Sequence, residues 1–158
     1  MSKKKKIAII TGASSGMGRE FVRQITEKYG GLDEIWAIAR NPQKVTPKKS
    51  SGVKIVPLPL DLLEEGSLDQ LRRRLFTEDV RVKLLVNAAG MGQIGGFEEI
   101  PLSEHQRTTR LNDEVLMSVT YLCLPYMRKR SHIILIASAS AFVPQPGFSV
   151  YAASKAYF

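Results

Sequence analysis

Three side chains late in the sequence have the types and spacing needed to move a proton to or from an oxygen. Tyr151 and Lys155 are four residues apart, so on a helix they share one face. An ammonium beside a phenol stabilises the phenolate, which lets the tyrosine exchange protons near neutral pH. Ser138 follows the apolar run His132–Ala137, and its hydroxyl could polarise a carbonyl there. These residues indicate general acid–base chemistry.

A glycine-rich segment early in the sequence has the form of a phosphate-binding turn. It reads Thr11-Gly12-Ala13-Ser14-Ser15-Gly16-Met17-Gly18, after an apolar run and before a segment of helical period. Residues without a Cβ atom let the backbone approach a pyrophosphate, and the N-terminus of the following helix supplies free N–H groups. The same glycines would also suit a tight turn without a ligand. The strand–turn–helix context favours phosphate binding.

Five short apolar runs predict the strands that position these residues. They are rich in Ile, Val and Leu with little alternation, as expected of parallel strands buried on both faces. The runs are Ile7–Ile10, Glu34–Ala39, Val53–Leu58, Val82–Ala88 and His132–Ala137. Helical segments separate them, and right-handed crossovers then favour an α/β fold with a doubly wound parallel, Rossmann-like sheet of strand order 3-2-1-4-5. Ligands of such sheets bind at the carboxyl ends of the strands, where Ser138 and the glycine turn lie.

Helical periodicity between the strands predicts three helices. The first covers Met17–Tyr29, and the last is one long helix over Ser103–Arg130. The middle helix carries one apolar stripe, and Asp61 or Glu64 is expected to cap it. Its stripe consists of Leu68, Leu71 and Leu75.

The glycine spacing and several later motifs together resemble the short-chain dehydrogenase/reductase family. The turn has Gly-x-x-x-Gly-x-Gly spacing, and Tyr-Ala-Ala-Ser-Lys begins at Tyr151, thirteen residues after Ser138. Asp61-Leu62 follows the third predicted strand, and Asn87-Ala88-Ala89-Gly90 ends the fourth. Several motifs in the right order are far more specific than any one. The resemblance covers essentially the whole chain.

This resemblance implies a nicotinamide cofactor and a catalytic tetrad of Asn112, Ser138, Tyr151 and Lys155. Tyr151 would protonate a carbonyl oxygen held by Ser138, while hydride passes to the carbonyl carbon. Lys155 would bind the nicotinamide ribose and tune Tyr151, and Asn112 would position a relay water. The residues expected to bind the cofactor are Gly12, Ser14, Ser15, Gly16, Met17, Gly18, Arg40, Asp61, Leu62, Asn87, Ala88, Gly90, Tyr151 and Lys155.

Each catalytic candidate also has an ordinary structural explanation when taken alone. Tyr151 and Lys155 could be a packing residue and a surface residue, Ser138 could cap a turn, and Asn112 could satisfy helix backbone groups. Their joint match to the motif favours the catalytic interpretation. Ser140 competes with Ser138, and only the spacing to Tyr151 favours Ser138.

The end of the second predicted strand favours NADP over NAD. An acidic residue there would bind the 2′-hydroxyl of NAD and repel a 2′-phosphate. The segment Ala37-Ile38-Ala39-Arg40-Asn41 has no carboxylate and offers Arg40 for the phosphate. The alternative is that Arg40 is simply solvent-exposed.

Composition argues against a nucleic-acid partner and a membrane span. The formal charge is +8, but four of the lysines form the terminal run Lys3–Lys6, and other basic residues lie in polar stretches at Lys48-Lys49 and Arg72–Arg74, without interleaved aromatic residues. The segment Ser131–Ser154 lacks charges, yet Pro144-Gln145-Pro146-Gly147 interrupts it.

Cysteine and histidine content adds little chemistry of its own. The single Cys123 cannot form an intrachain disulfide, and the sequence has no Cys/His cluster with metal spacing, which fits a reducing cytoplasm. His105 and His132 have no evident partner and are expected to be structural.

Two functions follow as hypotheses for a chain interpreted as a single domain. The first is an NADP-dependent oxidoreductase acting on a small alcohol or carbonyl substrate. The second is a nucleotide-binding module without turnover, because the family continues beyond Lys155 whereas this sequence ends at Phe158. The fold is therefore expected to be C-terminally incomplete. An unpaired fifth strand and the long helix also predict a homo-oligomer or self-association.

Overall fold

The computed structural model describes residues 4–41, 44–45, 52–143 and 145–157, so Lys3, Lys48, Lys49 and Pro144 lie outside the described residues. Strands and helices alternate along most of the chain. In order they are β1 (Lys5–Thr11), α1 (Gly16–Lys28), β2 (Glu34–Ala39), β3 (Lys54–Pro59), α2 (Ser67–Thr77), β4 (Val80–Asn87), α3 (Leu102–Thr109), α4 (Leu116–Cys123), β5 (His132–Leu135) and α5 (Ser149–Ala156). A π-helical turn over Arg110–Val115, here called the π segment, joins α3 to α4.

The five strands form one parallel sheet in the order β3-β2-β1-β4-β5. This confirms the predicted fold class and strand order. In the central strand β1, Ile9 lies opposite Trp36 of β2 on one side and Leu85 of β4 on the other. The chain thus runs outward from β1 in both directions, and a crevice opens at the carboxyl edge where the direction reverses.

Helices cover both faces of the sheet. On one face Trp36 packs in a cluster with Leu71 of α2 and Val119 of α4, and on the other Val22 and Ile25 of α1 pack against the strands. Because these side chains are almost completely buried, the hydrophobic effect fixes the helices on the sheet. Cys123 lies in the first cluster, where burial raises the pKa of its thiol to about 12, so it packs as an apolar residue.

The outer strands are less covered than the sequence predicts. Burial on both faces holds for β2, whose six residues are all buried, and is wrong for β5. Ile133 and Leu135 of β5 are 37% and 39% exposed. Among the described residues β5 pairs with β4 alone, so it lacks a neighbour on its other side.

The capping prediction for α2 is wrong. The helix begins at Ser67 behind Gly66, which has a φ of +79° and provides no side chain for a cap. The Oδ1 atom of Asp61 instead accepts the backbone N–H of Leu63 at 3.0 Å. The carboxylate therefore stabilises the turn after β3, and Glu64 does not cap the helix either.

The long helix ends earlier than predicted. Helical structure continues from α3 through the π segment and α4 into a 3₁₀ turn that ends at Tyr126, whereas the periodicity predicts Arg130. Pro125 in this turn lacks the N–H that a continuing α-helix requires. The guanidinium of Arg128 donates to the carbonyls of Pro125 and Met127 at 2.9 and 2.8 Å, and so satisfies backbone acceptors at the helix end.

None of the described helices is both long enough and apolar enough to cross a bilayer.

Replacing Leu71 by Ala should lower the free energy of unfolding by about 2–5 kcal/mol, because the change leaves a cavity under α2. The matched control is Phe76→Ala on the same helix, where the side chain is 82% exposed and the expected change is below about 0.5 kcal/mol. Chemical denaturation of both variants measures the difference. Equal losses would show that α2 presents another face to the sheet.

Candidate active site

A cleft of about 350 Å³ opens at the carboxyl edge of the sheet. The segments that follow four of the five strands line this cleft: the glycine turn after β1, the end of β2, and the loops after β3 and β4. One further element, the helix formed by α3 and the π segment, contributes Arg107 and Leu111. The predicted cofactor-binding residues that line this cleft are Gly12, Ser14, Ser15, Gly16, Met17, Arg40, Asp61, Leu62, Ala88 and Gly90.

The glycine turn is held to the loop after β4 by Thr11. Its Oγ1 atom accepts the backbone N–H groups of Ala88 and Ala89 at 3.1 and 3.0 Å, and the residue is 2% exposed. Two neighbouring parts of the cleft wall therefore keep a fixed separation. In the sequence Thr11 is only the first residue of the glycine motif, and the motif alone does not predict this contact.

The turn fits a pyrophosphate. A Cβ atom on Gly18 would overlap the carbonyl oxygen of Gly12, so only glycine lets the first turn of α1 pack this closely on the loop. Ser15 precedes α1 with extended backbone, and its side chain makes no capping hydrogen bond. The N–H groups and positive dipole end of α1 are therefore available to an anion in the cleft.

The end of β2 places one cation at the cleft. Arg40 is exposed and lines the wall. Asp61 is the one carboxylate among the described residues that line the cleft, and its Oδ1 is already bonded to the N–H of Leu63. This edge of the cleft thus suits an anionic group such as a 2′-phosphate.

Tyr151 and Lys155 lie on α5, and the helix spacing brings them together. The Lys155 Nζ lies 5.8 Å from the centroid of the Tyr151 ring and donates to the carbonyl of Ile136 at 3.1 Å. Lys155 is only 6% exposed, whereas Tyr151 is half-buried. Burial lowers the pKa of Lys155, because removing the ammonium from water disfavours its charge.

Asp113 of the π segment opposes this effect. Its negative charge favours the ammonium and so raises the pKa of Lys155, although burial has the larger influence. Burial also raises the pKa of Asp113 itself, and the charge of Lys155 lowers it. The Oδ1 atom of Asp113 is buried without a hydrogen-bond partner among the described residues. The two charges therefore influence each other's pKa, although no salt bridge joins them among the described residues.

Asn112 connects three elements of the site. Its Nδ2 group donates to the carbonyl of Met91 and to the hydroxyl of Ser154, both at 2.8 Å, and its Oδ1 accepts the N–H of Met91 at 2.9 Å. The hydroxyl of Ser154 in turn donates to the carbonyl of Tyr151 at 2.8 Å. Asn112 is completely buried. It therefore fixes both the loop after β4 and α5, a tertiary role rather than the local backbone role that the sequence left open.

Ser138 follows β5 and forms a hydrogen bond with Ser140, the alternative candidate for the same role. The hydroxyls of Ser138 and Ser140 are 2.6 Å apart, and Ser138 Oγ also accepts the N–H of Ser140 at 3.3 Å. The capping role weighed for Ser138 is thus present in the structure. Ser140 is 7% exposed and Ser138 is half-buried, so Ser138 is the more accessible hydroxyl.

The loop after β4 leaves space for the ring of Tyr151 only because residue 92 is glycine. A Cβ atom on Gly92 would overlap Cδ2 of the ring and lie 2.8 Å from Cγ. Farther along the loop, Gly95 donates its N–H to the carbonyl of Gly147 at 3.0 Å. A water-sized space of about 10 Å³ lies between these loops and is lined by Tyr151 and His105 among others.

Some predicted residues lie away from the cleft wall. Gly18 packs beneath the turn, and the Nδ2 group of Asn87 donates to the hydroxyl of Thr120 at 2.9 Å. His105 has a partner that the sequence does not reveal: its Nε2 atom is 2.9 Å from the carbonyl of Phe97 and its ring stacks on that phenyl ring, contacts that fit the expected structural role. His132 is exposed at the start of β5.

Three further residues at the site have no assigned role in the sequence analysis. Ser154 lies inside the Tyr-x-x-x-Lys motif at a position that the motif leaves free, Met91 follows the Asn87–Gly90 motif, and Arg107 lies in a predicted helix. Ser154 stands out only because it is buried, and Arg107 only because it lines the cleft; neither feature is visible in the sequence. Over the part of the chain that the structure describes, no group of His, Cys, Asp and Glu side chains could hold a metal ion.

Comparison with known proteins places this geometry in one family. The family model described as short chain dehydrogenase matches residues 6–158. The chain is 29% identical to 2,3-dihydro-2,3-dihydroxybenzoate dehydrogenase of Bacillus subtilis over 157 residues, which are 96% of this chain and 59% of that protein. It is also 29% identical to a very-long-chain 3-oxoacyl-CoA reductase of Pyrenophora tritici-repentis, covering 95% of this chain and 46% of that one. The chain thus spans about half to two thirds of the length of these curated relatives.

Solved structures agree with the sequence relatives. A short-chain dehydrogenase from Sphingobium yanoikuyae in complex with NADPH superposes with a TM-score of 0.82 at 29% identity, covering 96% of this chain and 60% of that one. A short-chain dehydrogenase from Streptomyces avermitilis superposes with a TM-score of 0.79, also at 29% identity, covering 99% and 57%. With the sheet order, the glycine turn and the Tyr-x-x-x-Lys helix in place, the chain belongs to the short-chain dehydrogenase family.

Proposed function

We propose that the protein is an NADP-dependent oxidoreductase that interconverts an alcohol and a carbonyl. One observation supports this most directly: the buried ammonium of Lys155 lies 5.8 Å from the centroid of the Tyr151 ring and donates to the carbonyl of Ile136, two residues before Ser138. The neighbouring cleft has the features that a dinucleotide requires, namely a free helix N-terminus, a glycine turn and a cation. Relatives named as dehydrogenases and reductases support the same class of reaction.

Tyr151 acts as the general acid in carbonyl reduction. The nicotinamide of the bound cofactor supplies or accepts the hydride at the substrate carbon. The Tyr151 hydroxyl gives its proton to the carbonyl oxygen as the alcohol forms, and recovers that proton in the reverse direction. The positive charge of Lys155 stabilises the phenolate that remains. Because Lys155 is buried, water screens this attraction only weakly.

Ser138 and Asn112 have different parts in this proposal. Ser138 is the more accessible of two hydrogen-bonded hydroxyls, so it donates to the substrate oxygen while Ser140 supports it from the buried side. Asn112 uses its amide hydrogens on Met91 and Ser154, which makes it a positioning residue. Its Oδ1 retains one lone pair for the relay water that the family resemblance implies.

The choice of NADP over NAD rests on Arg40. It is exposed at the cleft next to the end of β2, and residues 37–41 contain no carboxylate that would repel a 2′-phosphate. The NADPH bound to the Sphingobium yanoikuyae neighbour supports this choice.

Self-association and a cytoplasmic location stay predictions. Met117 and Tyr121 of α4 are 49% and 74% exposed, and they offer an apolar surface on which a second copy would pack. The buried thiol of Cys123 is compatible with a reducing compartment.

Tyr151→Phe in the intact protein should lower kcat/KM for carbonyl reduction by at least about 10²-fold, because the proton donor is lost. The Kd for NADPH should change less than about threefold, since the ring is retained. Tyr121→Phe on the exposed face of α4 is the control and should keep full activity. Steady-state kinetics and titration calorimetry give both values. Undiminished turnover would remove Tyr151 from its role, and binding by the parent protein without turnover would favour the nucleotide-binding module.

Arg40→Gln should weaken NADPH binding about tenfold or more, while the affinity for NADH should change less than about twofold. The reason is that only NADPH carries the 2′-phosphate. Arg73→Gln on the exposed side of α2 removes the same charge away from the cleft and should leave both affinities unchanged. A parent protein that binds NADH as tightly as NADPH would contradict the NADP preference.

Asp113→Asn should lower the pKa of Lys155 further below its ordinary value, because the carboxylate that favours the ammonium is removed. Carbon-13 NMR of labelled lysine side chains follows the titration, and Lys155→Met assigns the signal. Glu114→Gln changes the neighbouring, exposed carboxylate and should leave the titration unaltered. An unchanged pKa in the Asp113 variant would show that the two charges do not interact.

A further inference from the structure

Arg107 is a cation of the cleft wall that the proposed function has not used. It lies one helical turn before Leu111, and both side chains line the cleft. Leu111 is half-buried, whereas the side chain of Arg107 is 47% exposed. The helix therefore presents an apolar residue and a charged residue side by side to whatever enters the cleft.

The charge balance of the wall favours an anion near Arg107. In the described part of the chain, the charged residues that line the cleft are the cations Arg40 and Arg107 and the carboxylate Asp61. Asp61 is engaged with the N–H of Leu63, so its charge is partly satisfied within its own turn. Arg40 extends from the end of β2, and Arg107 comes from the helix that follows β4. The two cations thus reach the cleft from different elements.

Arg107 forms an ion pair with Glu104 that leaves other N–H donors of the guanidinium free of this contact. The Nη1 group of Arg107 donates to Oε1 of Glu104 at 2.9 Å, and the other carboxylate oxygen accepts from Nε2 of Gln93 at 2.9 Å. Gln93 belongs to the loop after β4, so Glu104 is fixed to that loop. A guanidinium has five N–H donors, and this contact occupies one of them. The remaining donors can bind a ligand while the pair persists.

An exposed ion pair of this kind is also easily exchanged. Partly exposed pairs on neighbouring helical turns contribute little stability, because water and salt screen them. The 2′-phosphate, a monoester, offers more acceptor oxygens and more charge than the carboxylate, and the pyrophosphate offers two adjacent negative charges. Guanidinium groups bind phosphate oxygens through two parallel hydrogen bonds. Glu104 would keep its hydrogen bond from Gln93 if Arg107 turned toward such a group.

We propose that Arg107 binds a phosphate of the dinucleotide, as a second cationic contact besides Arg40. The inference rests on the proposed function and adds a residue that the family motifs do not include. The dinucleotide carries phosphate in its pyrophosphate and, in NADP alone, at the 2′-position of the adenosine ribose. Both are the same chemistry for a guanidinium, and comparison of the two cofactors separates them.

Titration calorimetry of the intact protein with NADPH and NADH tests the proposal. Arg107→Gln should weaken NADPH binding about tenfold or more. A matching loss for NADH assigns the contact to the pyrophosphate, and a loss confined to NADPH assigns it to the 2′-phosphate. Arg110→Gln is the matched control, because it removes the same charge from an exposed residue of the same helix that does not line the cleft. It should change either affinity less than about twofold.

Glu104→Gln separates phosphate binding from a merely structural role of the ion pair. This variant breaks the pair but leaves the guanidinium, so NADPH affinity should be retained or increase. An equal loss in Glu104→Gln and Arg107→Gln would overturn the proposal, as would an Arg107→Gln variant that binds like the parent. If the parent binds neither dinucleotide, the proposed function fails as well. If the parent binds and Arg107→Gln is unchanged, only this inference fails.

Discussion

The geometry of the candidate site depends on the hydrogen bonds of one buried amide. Asn112 has no exposed surface, and its side chain joins the backbone of Met91 to the hydroxyl of Ser154. The loop after β4 and helix α5 would otherwise be separate elements that could shift relative to each other. Because a buried amide without partners would cost about 1–3 kcal/mol, these bonds favour one arrangement strongly. The positions of Tyr151 and Lys155 relative to the cleft follow from it.

The helix that carries Asn112 is irregular where it meets this site. The π segment over Arg110–Val115 contains Asn112 and Asp113, and such turns often occur at functional sites because the extra residue redirects side chains. Asn112 forms neutral hydrogen bonds, and Asp113 contributes a negative charge that acts on Lys155. The buried ammonium of Lys155 would be unfavourable alone, and the carbonyl of Ile136 with the charge of Asp113 offsets part of that cost. The same helical turn thus supplies both position and electrostatics.

Periodicity and motif spacing predict the strands and their order in the sheet well, but they predict tertiary contacts poorly. The apolar run Glu34–Ala39 has the bounds of β2 and is buried throughout, because a central parallel strand needs apolar residues on both faces. The end of the long helix at Tyr126 was missed, although Pro125 marks it. The cap of α2 was wrong because Asp61 bonds within its own turn. Spacing along the chain does not show which of several possible hydrogen-bond partners a side chain such as Asp61 takes.

The same limit applies to the site. The joint motif identified Tyr151 and Lys155, since four residues on a helix fix which face they share. The motifs do not point to Ser154, because its partner Asn112 is 42 residues away in the sequence. They do not point to Arg107 either, because its place in the cleft wall follows only from the packing of the helix. Ser138 and Asn112 both have structural contacts, since Ser138 accepts the N–H of Ser140 and Asn112 bonds to Met91 and Ser154. Structural and catalytic explanations of these residues are therefore compatible.

The contact between Gly92 and Tyr151 divides the loop after β4 into two parts that tolerate amino-acid substitutions to different degrees. Up to residue 92 the backbone is enclosed by the tyrosine ring and the Asn112 amide, so side chains larger than hydrogen at residue 92 would displace the ring of Tyr151. Beyond it, Ile94 and Phe97 are 79% and 62% exposed. Residues beyond Gly92 can therefore change without moving Tyr151. Under the proposed function, such a loop would keep Tyr151 in place while its distal half diverges with the substrate.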